Sequence, residues 1–205
     1  MAPNKVPLGG RALGPWLRGT VKRLKLRQLR MVTAGLILAV AGLFGGLDTV
    51  DAGPTVFAAD ESHSDGEFTL TIARASVVDE LRAGRRIVAP AQPGLRYLGV
   101  VSTVRNDGTI PGRLIGELQL RNQPDSSSVG VFRMADGSPI TQLGPGLQEQ
   151  LVFVWRIPDS AVRPDLQVTL RVTQKRFTEL LVTYGHDWVD SGSDYAEITL
   201  PVTVR

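Results

Sequence analysis

Only two side chains in this sequence are ordinary bases at neutral pH, His63 and His186, and hydrolytic chemistry would have to start from one of them. His186 lies in Tyr184-Gly185-His186-Asp187-Trp188, with Ser191 and Ser193 close behind it. A serine nucleophile needs a base within hydrogen-bond reach and a sharp turn that exposes its oxygen. No Gly-x-Ser-x-Gly turn surrounds either serine, and His63 falls in a polar stretch with no rigid surroundings. The expectation is an exposed loop histidine at position 186 and no catalytic residues. An enzyme using the His186 loop is the last-ranked alternative.

The same loop carries Asp187, Asp190, Asp194 and Glu197, with Gly192 among them. Calcium takes several carboxylate and carbonyl oxygens on a flexible loop, so Asp187, Asp190 and Asp194 are the metal candidates of this chain. Their spacing departs from the D-x-[DN]-x-[DN]-G pattern, and a solvated acidic loop is the simpler expectation. Zinc has neither a cysteine nor a His-x-x-x-His pair to bind. No cofactor is expected. Trp188 and Tyr195 flank the acids and form a candidate recognition patch for a sugar or a protein, although tryptophans of sandwich domains more often cap the core.

These residues need a scaffold, and the apolar pattern after Gly66 has a period of two, the mark of strands with one buried face. Phe68, Leu70 and Ile72 start it, followed by Tyr97 to Val104 and Leu114 to Leu120. Leu151, Phe153, Trp155 and Ile157 alternate with Val152 and Val154 on the other side, and Trp155 belongs in the core. Leu166, Val168, Leu170 and Val172 follow, and Ile198, Leu200, Val202 and Val204 close the chain as a central strand. Weaker strands are expected at Val129 to Met134 and Phe177 to Val182. Asn106-Asp107-Gly108, Asp136-Gly137 and Gly144-Pro145-Gly146 supply turns. One short helix or charged loop is expected at Val77 to Arg86. The fold class is mainly β, an immunoglobulin-like antiparallel β-sandwich over residues 67–205.

The strand ending in Val104-Arg105-Asn106-Asp107-Gly108, the Asp136-Gly137 turn, and Leu143-Gly144-Pro145-Gly146 leading into Leu151 to Ile157 and Pro158 resemble the immunoglobulin-like domains of secreted actinobacterial antigens and related extracytoplasmic proteins. The resemblance covers roughly Glu67 to Arg205 and implies a fold and a location, with no reaction to carry over. Arginine outnumbers lysine 19 to 4, which fits a GC-rich, actinobacterial source.

Charge segregation sets the address. Eight of the 23 Lys/Arg precede Met31, all 20 acids lie at or after Asp48, and Met31 to Leu47 carries no charge. The expected organisation is a basic cytoplasmic tail (1–30), a single transmembrane signal-anchor helix (31–47), a linker (48–66) and an extracytoplasmic domain. A cleaved signal peptide ending near Ala52 or Ala58 is the competing reading. From Asp48 onward, 15 basic residues face 20 acids, a net of −5 that excludes nucleic acid as a partner. Gly35, Ala39, Gly42 and Gly46 line one face of the span, suited to packing against a membrane-protein partner or a homodimer copy, with membrane lipid around it. With no cysteine, the chain has neither disulfide nor lipobox, so burial and hydrogen bonds must hold the fold. The expected function is a non-enzymatic, membrane-anchored cell-envelope protein whose domain binds an envelope or transporter partner. The alternative is a small-ligand or glycan-binding sensor or carrier.

Overall fold

The computed structural model describes residues 54–180 and 185–205. The expected basic tail and membrane span, with Gly35, Ala39, Gly42 and Gly46, lie outside these residues. Among the described residues no helix is long and apolar enough to cross a membrane. Residues 52–205 form one compact unit.

The described chain is a mainly β, two-layered sandwich. One layer contains β8 (Gln119–Leu120), β12 (Gln167–Leu180) and β13 (Gly185–Val204), with β1 (Thr55–Val56) added to β13. The other runs β3 (Phe68–Val78), β6 (Leu95–Asn106), β11 (Gln148–Pro158) and β9 (Ser127–Arg133), with β2 (Ser62–Ser64) beside β3. Strand β13 joins them: through Pro201 it pairs with β12, and Val202–Val204 pair with Ala75–Val77 of β3. Two-residue pieces β7 (Gly112–Arg113) and β10 (Gln142–Leu143) pair across one end. A small hairpin of β4 (Leu81–Ala83) and β5 (Arg86–Ala89) follows β3.

Alternation builds the core. Phe68, Leu70 and Ile72 point inward, a bulge between Ile72 and Arg74 resets the pleat, and Ala75 and Val77 continue the buried row. Leu151, Phe153, Trp155 and Ile157 of β11 line the same inner face, while Val168, Leu170 and Val172 of β12 and Ala196, Ile198 and Leu200 of β13 close the core from the other layer. These side chains form a single cluster.

Several expectations change. The sandwich is mixed rather than antiparallel, because β13 lies parallel to both β1 and β3. Both of these neighbours lie more than 100 residues before β13 in the sequence, so no hairpin forces an antiparallel pairing. The stretch read as linker joins the fold from Thr55 onward: Phe57 enters the core, its N–H donates to the Glu197 carbonyl at 3.3 Å, and Asp65 is fully buried. Val77 to Arg86 is the end of β3 at Val78 followed by the β4–β5 hairpin, whose turn at Gly84 (φ +57°) folds the charged stretch back on itself as two short strands. Leu114 to Leu120 is no single strand: a turn at Gly116 (φ +88°) divides it, although Leu114 and Leu118 still reach the core.

Replacing Phe153 by alanine removes a ring from the centre of this cluster. The expected loss is about 3–5 kcal/mol of unfolding free energy, read from urea denaturation.

Candidate functional site

The most unusual chemistry is a buried ion cluster that binds the two layers at one end. Lys175, on β12, is the only lysine after the basic tail. Its Nζ donates to Glu67 Oε2 at 2.7 Å and to Glu117 Oε2, and it lies 3.7 Å from Asp65 Oδ2. The ammonium also stands 4.7 Å from the centre of the Phe68 ring. Backbone geometry fixes the pocket: Lys175 N–H donates to the Asp65 carbonyl at 2.7 Å, and Asp65 Oδ1 accepts the N–H groups of Glu67 at 2.8 Å and Phe68 at 2.6 Å. Gly66 is required here, because its φ is +106° and a Cβ would stand 2.6 Å from the Lys175 carbonyl oxygen.

Three buried carboxylates around one ammonium cannot all stay ionised cheaply. Burial, then the proximity of Asp65, pushes Glu117 well above the usual carboxylate range. Burial also raises Glu67, against the pull of Lys175. For Lys175 burial disfavours the charge, but Glu117 and Asp65 outweigh it and hold the ammonium above its ordinary value. Asp65 Oδ2 and Glu117 Oε1 have no other hydrogen-bond partner, and a proton on Glu117 shared with Asp65 satisfies both. Lys175 thus supplies the counter-charge for three carboxylates from distant segments. This cluster floors a polar cleft of about 430 Å³, whose rim includes Arg113, Gln119, Asp187, Trp188 and Asp190.

The residues singled out in the sequence are distributed differently from expectation. His63 sits on β2 with its ring stacked on Phe57 at 4.8 Å, where burial lowers its pKa. His186 and the acids after it belong to β13, not to a loop, because β12 and β13 continue as a ribbon to Leu180 and Gly185. Ser191 Oγ donates to the Asp194 carbonyl and Ser193 Oγ to Asp194 Oδ1, so neither hydroxyl engages His186. Asp187 Oδ1 accepts the Trp188 N–H at 2.8 Å, Asp194 pairs with Arg176 at 3.2 Å, and Glu197 pairs with Arg171 at 2.9 Å. Among the described residues no three His, Cys, Asp or Glu side chains converge to hold a metal. Strand periodicity spreads Asp187, Asp190 and Asp194 instead of gathering them.

Trp188 and Tyr195 belong to separate contacts. Tyr195 lies under the Arg171 guanidinium, 3.7 Å from its ring centre. Trp188 packs over Gly108, where a Cβ would stand 2.8 Å from its Nε1, and leans on Phe177 with ring centres 5.2 Å apart. Phe177 in turn stacks on His186 at 5.6 Å. The aromatic patch is thus Phe177, His186 and Trp188, joined by the cross-strand pairing Phe177↔Trp188.

A second cleft, of about 450 Å³, lies on the outer face of β3–β6–β11–β9. Its floor follows from register. Arg74, Val101, Val152 and Phe132 form one outward row, and Ser76, Gly99, Val154 and Gly130 form the next. Small residues in the second row leave a trough between Val101 and the segment 79–94, which arches over it. That strap is fastened by Tyr97 Oη donating to the Pro90 carbonyl at 2.9 Å and by close packing of Ala83 and Val88 around Gly137. The strap adds Leu81 and Val88 to the walls, with Met134 opposite.

No family model matches this sequence, and no curated protein matches it. Among solved structures, an uncharacterised β-sandwich protein from Clostridium difficile 630 aligns with a TM-score of 0.49 at 13% identity, over 72% of this chain and 94% of its own. A chain from Bacillus subtilis subsp. subtilis str. 168, proposed to be a lipoprotein, aligns at 0.40 and 15% identity, over 70% of this chain and 39% of its own. A conserved hypothetical protein from Bacillus anthracis aligns at 0.32 and 14% identity, over 51% and 81%.

The ion cluster makes stability depend on pH. Folded Glu117 keeps its proton to higher pH than it would unfolded, so its contribution is complete below the ordinary glutamate value and is lost as pH rises through the raised one. His63 acts in the opposite sense, costing stability as pH falls below its ordinary value. Glu117→Gln keeps the neutral shape and is expected to raise the urea midpoint near pH 7.5 while flattening its decline from about pH 5 upward. Lys175→Met, which strands the carboxylates, is expected to cost about 3–5 kcal/mol near pH 7.5 and to recover in part on acidification.

Proposed function

We propose that this protein is a non-enzymatic, single-pass cell-envelope protein. Its immunoglobulin-like domain, of the kind found in secreted actinobacterial antigens, stands outside the membrane and binds an envelope or transporter protein. The basic tail, the uncharged run Met31 to Leu47 and the confinement of every acid to the residues after it support the address. The observation that carries the binding role is the aromatic face of the β12–β13 ribbon. Phe177 and His186 stack there exposed, beside Trp188, which is half-buried over Gly108. Stacked aromatics with fixed rotamers bring large contact area at low entropic cost, which makes them anchors for a protein partner.

A second reading, a small-ligand carrier, is supported by the cleft beneath the 79–94 strap rather than by the surroundings of Trp188 and Tyr195. Its volume falls in the range of roughly 300–1,000 Å³ usual for ligand sites.

Two measurements test the main reading. Protease added outside intact cells should digest the domain and spare the tail; a fully protected domain would refute the topology. A photo-crosslinking residue at Glu179, exposed and paired with His186 on the aromatic face, should capture one discrete membrane-fraction protein in wild-type cells. Phe177→Asp, expected to cost about 1–2 kcal/mol through the lost stacking on His186 and Trp188 and to leave the domain folded, should abolish that capture. An adduct indifferent to Phe177→Asp would remove the ribbon from the interface.

A further inference from the structure

We infer that the trough beneath the strap binds a single-chain amphiphile, a medium-length alkyl chain ending in one anionic head such as a carboxylate. This assignment rests on the small-ligand reading and adds the ligand's chemistry and orientation.

The floor of the trough has a polarity axis. Across the four strands the outward row reads Arg74, Val101, Val152, Phe132, a cationic group followed by three apolar ones. At about 4.8 Å per strand this row spans roughly 14 Å. It offers one charged end and a continuous apolar path, the shape of an extended amphiphile rather than of a sugar or a compact polar metabolite. Depth comes from the adjacent row, where Ser76 and Gly99 are directly paired and neither carries a side chain large enough to fill the space. Leu81 and Val88 of the strap and Met134 complete the apolar lining, and a volume of about 450 Å³ suits one medium-length chain.

Charge selects the head group. Arg74, Arg82, Arg133 and Arg205 line the cleft, with Glu80 as the acid in its lining. Two of the arginines are committed: Arg82 pairs with Glu80 at 2.6 Å and Arg133 with Glu149 at 2.8 Å. Arg74 has no carboxylate partner among the described residues and is exposed at the charged end of the row. A guanidinium beside an apolar channel in a domain carrying net negative charge is a local exception to the surface, and it binds a planar carboxylate through two parallel hydrogen bonds. A cationic or neutral head would leave it unpaired.

The test uses the full chain in nanodiscs of zwitterionic lipid, with photoreactive decanoate and photoreactive decanol as matched probes. The decanoate probe should label peptides containing Ser76, Val101, Phe132 or Val152, with unlabelled decanoate competing. Arg74→Glu should lower that labelling roughly tenfold, the worth of about one charge-assisted contact. Ser76→Phe, which lays a ring across Gly99 on a strand face that tolerates aromatics, should abolish it for both probes. Decanol labelling the trough as strongly as decanoate would overturn the anionic head group while leaving the carrier reading in place. Failure of both probes to label it would sink the carrier reading as well. Labelling that emerges only on dilution of the protein would mean that a second copy fills the trough, which also overturns the proposal.

Discussion

A single ammonium group holds the two layers of this sandwich together at the end where the ribbon departs. The chain has no cysteine, so no disulfide can tie one sheet to the other. Lys175 reaches from β12 to Glu67 and Asp65 at the entrance to β3, and to Glu117 in the segment before β8. A lysine suits this position because its charge is compact and its stem flexible, whereas the broad fork of an arginine would have to meet three carboxylates arranged around a point. The cost of the cluster is that burial raises Glu117 well above the usual carboxylate range, which ties the site to pH.

From that fixed root the rest of the architecture follows. The β12–β13 ribbon continues past the cluster and carries Phe177, His186 and Trp188, with Trp188 seated over Gly108 in the turn after β6. Asn106 organises that turn, accepting the Gly108 N–H at 2.8 Å and donating to the Leu143 carbonyl at 2.7 Å. At the other end of β3 the chain doubles back as the 79–94 strap over the outward face of its own sheet. The β3–β6–β11–β9 layer therefore has two apolar faces, one filled by the core and one closed into a trough.

Part of this was legible residue by residue. The apolar set Leu151, Phe153, Trp155 and Ile157 defines its strand because alternation states which side faces the core. Val152 and Val154 between them carried a second message: a strand apolar on both sides is covered on both sides. Lys175 had a signal too, a solitary lysine among arginines, but nothing in its spacing points to Asp65 or Glu117, which lie 110 and 58 positions away. The acids at 187–197 misled because clustering in sequence suggests a ligating loop, while an extended backbone separates neighbours and turns them to alternate faces.

Local pattern alone settled the core strands that run through Phe68, Tyr97, Leu151 and Val168 and the one that ends the chain, the turns at Asn106 and Asp136, the place of Trp155 in the core and the segregation of charge along the chain, since each depends on neighbours a few positions apart. Tertiary structure alone decided which strands are parallel, that Thr55 to Asp65 belongs to the fold, that three distant carboxylates share one lysine, and that Arg74 aligns with Phe132 across four strands. Those outcomes arise from register and layer packing, in which residues far apart in sequence compete for the same buried volume. The free energy of such contacts is written into no single segment.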